Sequence, residues 1–230
     1  MFSKILNLIS SIFRKEDLPQ ISNSSEPKKE KSYLDYDWNP VIEFETGGRY
    51  YYERFLKKMT WPKGESGITM GIGADLGYMS QDEFDKHFSS FFTEDESSKL
   101  KSVIGLKGEN AKNALSKVKG IELSWDNASK AFVSWTLPKF WKLTNALWPK
   151  MDELSEKAQI ALVSIVFNRG SSTKGASRVE MVNIKELVAN KDYRGIAEQI
   201  RNMKRLWANK GLDGLIKRRE QEAKMVESCV

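Results

Sequence analysis

The chain is organised around a stretch that opens with Val41-Ile42-Glu43-Phe44-Glu45-Thr46-Gly47-Gly48 and ends in Ser66-Gly67-Ile68-Thr69-Met70-Gly71-Ile72-Gly73-Ala74-Asp75-Leu76-Gly77. An aromatic and basic segment separates the two parts. We expect the first part to be a helix and residues 68–72 to be a strand in a small hairpin sheet, because their side chains alternate between polar and apolar. Two acids on these elements can meet across a cleft, an arrangement that suits general acid–base chemistry.

The first acid of this pair is predicted to be Glu45. On a helix it follows Val41 by four positions and Ile42 by three, so it shares their apolar stripe, whereas Glu43 points elsewhere. Apolar surroundings raise the pKa of a carboxyl group, which keeps it protonated and able to act as an acid. Taken alone, Glu45 fits an ordinary exposed glutamate better than an acid, and only the motif that follows favours the acid; Glu43 is the weaker candidate.

The second part of the stretch offers Thr69 and Asp75. As a strand, it places Gly71 and Gly73 on the face of Thr69, which leaves room for a ligand. Asp75 lies in a turn flanked by glycines, where a short carboxylate either caps backbone amides or points into a cleft. These two roles are compatible, so Asp75 is a candidate for both.

Composition narrows the chemistry further. The chain has 230 residues, 40% of them hydrophobic, which is enough for one sizeable core that can be split into two lobes. The net charge of +6 favours an anionic partner such as nucleic acid, anionic lipid or a cell wall with acidic polymers. One histidine, His87, and one cysteine, Cys229, leave almost no material for Ser-His or Cys-His catalysis or a multi-histidine metal site. We therefore expect no cofactor and no metal, and carboxylates must carry the acid–base chemistry.

Helical periodicity dominates the rest of the chain. Capping boxes predict helices that begin after Ser80 and Thr93. The segment 158–167 is apolar almost all round, which is typical of a buried central helix. Further helical patterns occupy 109–118, 126–147, 152–167, 178–190, 192–206 and 214–227. The predicted fold is mostly α, with a helical main lobe, a small β-hairpin lobe and a cleft between them.

The first 36 residues differ in composition from the rest. Residues 1–15 predict an amphipathic helix, residues 16–36 a solvated linker, and residues 37–230 the folded domain. The first helix is too short to span a bilayer and has no secretory signal pattern. Its apolar face, within residues 2–13, is expected either to contact a membrane surface or a carrier protein, or to pack back on the domain.

The run from Ser66 to Tyr78 resembles the Ser-Gly-x-Thr-x-Gly-x-Gly-x-Asp-Leu-Gly pattern of pesticin-like muramidases, relatives of the phage-type lysozymes. Phe44-Glu45, with glycines nearby, looks like the acid-bearing helix of the same family, although Thr46 intervenes before the glycines. Two later blocks, Phe167-Asn168-Arg169-Gly170 and Gly214 to Glu222, are similar to family blocks and occur in the same order. Together these blocks extend over about residues 38–227, and the resemblance implies an α+β lysozyme-like fold.

The resemblance also implies an activity, cleavage of the β-1,4 bond from N-acetylmuramic acid to N-acetylglucosamine in peptidoglycan. Glu45 would protonate the leaving oxygen, while Asp75 and Thr69 would hold and activate a water on the opposite face of the sugar. A glycosidase that uses such a water separates its carboxyl groups by roughly 6.5–9.5 Å, against about 5–5.5 Å for a covalent route. Family precedent favours the water and hence inversion.

Several residues are expected to support this site. Arg218 or Arg219 can pair with Glu45 and hold its orientation, since a guanidinium binds a carboxylate in two places. Asn168 and Arg169 follow the buried helix, where they either bind sugar hydroxyls and peptide carboxylates or cap the helix together with Gly170.

Aromatic residues are the other candidates for substrate binding. Trp61 and Tyr78 offer flat rings on which sugars stack, and Tyr50, Tyr51 and Tyr52 are further candidates. Aromatic residues at helical spacing are more often part of a core, and Tyr51 and Tyr52 cannot both face the same way.

Three other functions remain open at this stage. A lytic transglycosylase would use one glutamate and no second carboxylate. A nucleic-acid-binding protein would suit the positive charge and the basic run from Lys204 to Arg219, but acids are interspersed and no binding motif is present, so no nucleic-acid partner is expected. A wall-binding module without catalysis is the third.

The expected setting follows from the peptidoglycan substrate. The protein would be made in the cytoplasm without a secretory signal. It would then act in the periplasm or on the cell wall, as a phage endolysin or an antibacterial effector. An effector of this kind would have a protein inhibitor as a partner.

Overall fold

The structure is a computed structural model that describes residues 32–230. The predicted helix 1–15 and most of the predicted linker 16–36 lie outside the described residues. Where the linker prediction ends, the structure has a 3-10 turn at Tyr33–Asp35. Within the described part of the chain, every helix is too short or too polar to cross a bilayer.

The chain forms two compact units. One contains residues 42–137 and the described residues up to Leu34. The other combines Asp35–Val41 with Pro138–Val230. A short segment near the start of the described chain therefore folds with the C-terminal half of the sequence.

Helices form most of both units. The α-helices are Asn39–Thr46 (α1), Arg49–Tyr51 (α2), Gln81–His87 (α3), Glu94–Lys101 (α4), Gly108–Ala114 (α5), Trp125–Ala131 (α6), Leu137–Leu147 (α7), Glu156–Arg169 (α8), Val179–Ala189 (α9), Tyr193–Asn202 (α10) and Asp213–Glu227 (α11). The π-helical turns Tyr52–Leu56 and Phe132–Thr136 continue α2 and α6. Strands Thr69–Met70 (β1) and Ala74–Asp75 (β2) form an antiparallel pair. The prediction of a mostly α fold with a small hairpin is confirmed.

Both predicted capping boxes are present in the first unit. At the start of α3, the Ser80 hydroxyl accepts a hydrogen bond from the Glu83 N–H at 3.1 Å, and the Glu83 carboxylate accepts one from the Ser80 N–H at 2.9 Å. Thr93 and Glu96 make the same reciprocal pair at the start of α4, at 3.3 and 3.0 Å. Each box satisfies backbone donors that the first helical turn leaves unpaired.

Strand β1 is shorter than the predicted strand 68–72, and the predicted C-terminal end of that strand is wrong. Strand β1 stops at Met70, opposite Ala74, and residues 71–73 form the turn. Gly71 and Gly73 have φ angles of 57° and 76°, a left-handed conformation that glycine adopts without steric cost. They turn the chain, so the expectation that they alternate on the face of Thr69 along a strand is wrong; room for a ligand beside Thr69 stays a prediction.

The second unit is built around α8. Its residues 158–168 are buried, as the apolar pattern predicted. The Phe167 ring contacts Phe140 of α7, with centroids 4.4 Å apart, while α11 packs against α8 and α10.

Trp38 belongs to the same unit, and its ring lies edge-on to Trp141 at 6.4 Å. These aromatic contacts join the segment 35–41 to the C-terminal half of the chain.

Two serine N-caps differ in the hydrogen bonds that their side chains make. Ser80 carries a complete capping box, whereas the Ser155 side chain at the start of α8 makes no capping hydrogen bond. Ser80→Ala should lower the free energy of unfolding by about 1 kcal/mol, and Ser155→Ala by much less. Urea denaturation followed by circular dichroism measures both, and equal losses would contradict the role given to the Ser80 hydroxyl.

Candidate active site

Asp75 is the most constrained acid of the hairpin. It is 6% exposed and stands at the N-cap of the 3-10 turn Leu76–Tyr78. Its carboxylate accepts hydrogen bonds from the Gly67 N–H, at 3.0 and 3.2 Å to the two oxygens, and from the Gly77 N–H at 2.8 Å. These bonds fix the orientation of the carboxylate and confirm the capping role that the sequence predicted.

The two donors must be glycines for reasons of space. A Cβ added to Gly67 would lie 2.3 Å from the Asp75 Oδ1 and 2.3 Å from the Gly77 nitrogen. A Cβ added to Gly77 would lie 2.8 Å from the Gly67 Cα and 2.8 Å from the Leu106 carbonyl oxygen. The backbones of Gly67 and Gly77 therefore approach as closely as they do only because both side chains are absent.

Thr69 faces Asp75 across the hairpin. The two residues are paired in the strand register, and the neighbouring pair is joined by a hydrogen bond from the Leu76 N–H to the Ile68 carbonyl at 2.9 Å. Thr69 and Asp75 thus form a non-hydrogen-bonded antiparallel pair, whose Cβ atoms are typically about 4.5–5.5 Å apart on one face. The Thr69 backbone bonds instead to Thr60, at 3.0 and 2.7 Å. The structure brings this threonine and this aspartate together, as the candidate site requires.

The electrostatics of Asp75 are set by opposing effects. Burial raises its pKa above the ordinary aspartate value, because an ion in a poorly hydrated site loses solvation energy. The N–H groups of Gly77 and Gly67 and the positive charge of Lys107 oppose this shift without cancelling it. The net result is a carboxylate that is more basic than a free aspartate.

Trp61 and Tyr78 lie beside this hairpin. The Trp61 indole N–H donates to the Ser66 carbonyl at 3.1 Å, and the Tyr78 hydroxyl donates to the Glu65 carbonyl at 3.3 Å. Both side chains therefore hold the backbone that leads into Gly67. Their role in sugar stacking stays a prediction. The Lys107 ammonium group already lies over the Tyr78 ring, with Nζ 3.6 Å from the ring centroid. A sugar that stacks on this face would have to displace it.

Glu45 is the last residue but one of α1 and is half-buried. The Thr46 hydroxyl next to it is buried, donates to the Ile42 carbonyl at 2.7 Å and accepts from the Gly48 N–H at 3.2 Å. Gly47, with a φ of 76°, ends the helix. Thr46, which departs from the family pattern, thus forms part of the helix end. Glu43 is exposed, in agreement with the predicted helical faces.

The tyrosines after this turn divide between core and surface. Tyr52 is buried, and its hydroxyl donates to the Leu123 carbonyl at 2.9 Å. Tyr50 is 75% exposed, and Tyr51 contacts the Phe55 ring at 4.7 Å. Tyr52 therefore belongs to the core of the first unit and cannot line a cleft.

The second unit contains a buried ionic cluster at Arg218 and Arg219. Glu222, which is fully buried, accepts hydrogen bonds from Arg218 Nε at 3.1 Å and from Arg219 Nη2 at 2.7 Å. Ser164 Oγ donates to the same carboxylate at 2.5 Å and accepts from Arg218 Nη2 at 2.9 Å. Sequence reasoning assigned no role to Glu222, although it follows the two arginines by four and three positions on one helix.

Asn168 and Arg169 lie in the last turn of α8, so their predicted position after the helix is wrong. Gly170, with a φ of 73°, caps the helix and donates to the Val166 carbonyl at 2.7 Å. Arg169 Nη2 donates to the Ser177 carbonyl at 2.5 Å. Burial and the neighbouring Arg178 lower the pKa of Arg169 to about 10.

The candidate residues are thus distributed over both units. Residues 42–137 contain the proposed acid, its two hairpin partners and the two aromatic candidates: Glu45, Thr69, Asp75, Trp61 and Tyr78. Residues 138–230 contain the other four: Asn168, Arg169, Arg218 and Arg219. The pairing of Glu45 with Arg218 or Arg219 stays a prediction.

Two known families match the chain. The phage lysozyme family matches residues 103–222, just over half of the sequence. A domain of unknown function, DUF8812, matches residues 41–137. No curated protein matches the chain.

The helical units and the small hairpin define a lysozyme-like fold. The chain belongs to the phage lysozyme family. Its function is therefore of the peptidoglycan-hydrolase kind, and peptidoglycan is the substrate that the family implies.

The contact between Gly67 and Gly77 gives a direct prediction. Gly67→Ala should lower the free energy of unfolding by about 1–3 kcal/mol or more, because its methyl group overlaps the Asp75 carboxylate. Gly214→Ala is the control, since a Cβ there meets nothing within 4 Å. Denaturant unfolding measures both, and a Gly67→Ala protein as stable as the wild type would refute the proposed contact.

The raised pKa of Asp75 predicts a change in the pH dependence of stability. Between the unfolded and folded pKa values, the folded state binds the proton more tightly, so the free energy of unfolding falls as pH rises through the folded value. Asp75→Asn should lack this fall. Its amide oxygen still accepts from both glycines, so the added constant loss is limited to the Gly67 hydrogen bond to the second carboxylate oxygen. Unfolding titrations from acid to neutral pH test this, and identical pH slopes for the two proteins would contradict it.

Proposed function

We propose that the chain is a pesticin-like muramidase that hydrolyses the β-1,4 bond from N-acetylmuramic acid to N-acetylglucosamine. The observation that carries the proposal is the pairing of Thr69 with Asp75 on one face of the hairpin. Glu45 lies in the same unit, at the end of a helix that is closed by Thr46 and Gly47. The family gives the reaction class, and the hairpin supplies the groups that position a water.

Glu45 is the proposed proton donor to the leaving glycosidic oxygen. It is half-buried at the end of α1. Such proton transfer by a positioned carboxyl group typically accelerates a reaction by about 10²–10⁴-fold.

Asp75 and Thr69 are the proposed holders of the attacking water. A carboxylate offers about four lone-pair positions, and the amides of Gly67 and Gly77 use only some of those on Asp75. The Thr69 hydroxyl beside it both donates and accepts. The raised pKa of Asp75 makes it a stronger base for removing a proton from that water. Attack by water opposite the leaving group inverts the anomeric carbon.

The supporting roles are proposed on the same basis. Asn168 and Arg169 would bind polar groups of the substrate, and Trp61 and Tyr78 would contact its sugar rings. Arg218 or Arg219 would orient Glu45.

The proposed setting is the periplasm or the cell wall, where the substrate of the family lies. The protein would reach it after release, secretion or injection, as a phage endolysin or an antibacterial effector. A protective inhibitor protein is proposed as a partner of an effector, and residues 2–13 are proposed to contact a membrane or a carrier.

Digestion of purified peptidoglycan tests the proposed reaction. Glu45→Gln should lower kcat by about 10²–10⁴-fold. Thr69→Val keeps the branched shape of the side chain and removes the hydroxyl, so it should lower kcat. Thr60→Val is the control and should leave kcat unchanged, because Thr60 is exposed and contacts Thr69 through backbone hydrogen bonds. The activity of Asp75→Asn is compared with that of the wild type at equal folded fraction. The substitution also removes a side-chain oxygen that accepts a hydrogen bond from the Gly67 N–H.

The products separate the proposal from its alternatives. Reducing ends released first as the α-anomer are expected from inversion of a β bond. Anhydro ends, with Asp75→Asn fully active, would indicate a lytic transglycosylase, and binding without release would indicate a wall-binding module. A larger loss in Glu43→Gln than in Glu45→Gln would overturn the assignment of the acid.

A further inference from the structure

Arg169 and Arg178 lie in a group of arginines whose carboxylates are already engaged. The positive charges of Arg178 and Arg205 lie close enough to Arg169 to lower its pKa. In the same group, Glu180 binds Arg205 at 2.5 Å, and Glu222 binds Arg218 and Arg219. Within residues 32–230, no carboxylate forms an ion pair with Arg169 or Arg178. The group therefore carries uncompensated positive charge.

Buried donors in the same group lack acceptors. Arg219 is 0% exposed, and its Nη1 has no hydrogen-bond partner among the described residues. The Nε groups of Arg169 and Arg219 are likewise buried donors without a hydrogen-bond partner in residues 32–230. Two buried acceptors there, Asn168 Oδ1 and Glu222 Oε2, also lack a hydrogen-bond partner, so the unpartnered donors outnumber the unpartnered acceptors by one. A buried guanidinium donor without an acceptor costs free energy, which a bound acceptor would recover.

Trp207 holds two of these guanidinium groups. The Cζ atoms of Arg169 and Arg219 lie 5.1 and 5.7 Å from the centroid of its ring. Stacking on an aromatic face stabilises a guanidinium and leaves its in-plane N–H groups available for an anion. Burial and like charges lower the pKa of both Arg169 and Arg219 to about 10, a shift that a bound anion would reverse.

We propose that Arg169 and Arg219, which both lie over the Trp207 ring, form with the neighbouring Arg178 a binding site for one oxyanion, either a carboxylate or a phosphate group. Guanidinium groups bind both in a bidentate manner, and the excess of buried donors over acceptors favours a negatively charged ligand. Arg169 and Arg178 are half-buried, so the site is open to solvent on their side. If the proposed muramidase function holds, the wall offers two sources, the carboxylates of its peptide stems and the phosphates of its acidic polymers.

Binding of simple anions tests the site without reference to activity. Inorganic phosphate and acetate are titrated against the full chain at constant ionic strength, with chloride as the balancing salt, and binding is followed by NMR of the indole and guanidinium N–H groups. Saturable binding is expected for the wild type, weakened by about tenfold or more in Arg169→Gln, because a charge-assisted donor is lost. Arg194→Gln removes an exposed arginine from the same unit and should bind as the wild type does.

The outcomes of this titration are decisive in both directions. Equal affinity in the wild type, Arg169→Gln and Arg194→Gln, or no saturable binding to the wild type, overturns the proposed site. If circular dichroism shows that Arg169→Gln does not fold, Arg178→Gln takes its place, with the same expected loss.

Two substrates then identify the source of the anion. With peptide stems as the source, Arg169→Gln should raise KM about tenfold for stem-bearing glycan and retain kcat, and its KM for stem-free glycan should rise by much less. With wall phosphates as the source, glycerol phosphate oligomers should compete for the site and the stems should make no difference. A wild type that binds phosphate but cleaves neither glycan would refute the muramidase function and leave the anion site intact.

Discussion

The hairpin of the first unit depends on one interaction, the hydrogen bonds from the Gly67 and Gly77 amides to the buried carboxylate of Asp75. A carboxylate withdrawn from water is costly unless donors replace its hydration, and these two amides replace part of it. The donors reach it because neither residue has a side chain. The same interaction places Thr69 opposite the acid, since it fixes where β2 ends and the 3-10 turn begins. A structural constraint and a candidate catalytic arrangement therefore share the same atoms.

The accuracy of the sequence predictions follows the range of the interactions involved. The capping boxes at Ser80 and Thr93 and the buried face of α8 depend on residues three or four positions apart, so the sequence predicts them well. The strand was predicted too long because alternation alone does not show that Gly71 and Gly73 adopt positive φ angles. The end of α8 was predicted two residues too early, because the apolar pattern ends at Phe167 while the helix continues through Asn168 and Arg169.

Long-range contacts were the least predictable. Glu222 stands at a favourable spacing from Arg218 and Arg219, yet its complete burial depends on the packing of α11 against α8, which brings in Ser164. Removal of one member of such a cluster is expected to be more destabilising than loss of an exposed ion pair, because it leaves an uncompensated buried charge. In contrast, the pair between Arg49 and Asp126 lies at the surface, with both side chains more than half exposed. The position of a charge in the fold, more than its partner, decides its contribution.

The two family matches share residues 103–137, and the part that only one of them covers bears on the chemistry. The phage lysozyme match begins at residue 103, after all three proposed catalytic residues: Glu45, Thr69 and Asp75. All three lie within residues 41–137, the part that matches a domain of unknown function. The C-terminal match assigns the family, whereas the groups that would transfer the proton and hold the water belong to the other domain. If the hairpin pair of Thr69 and Asp75 acts as proposed, the catalytic groups of this muramidase lie in the domain of unknown function.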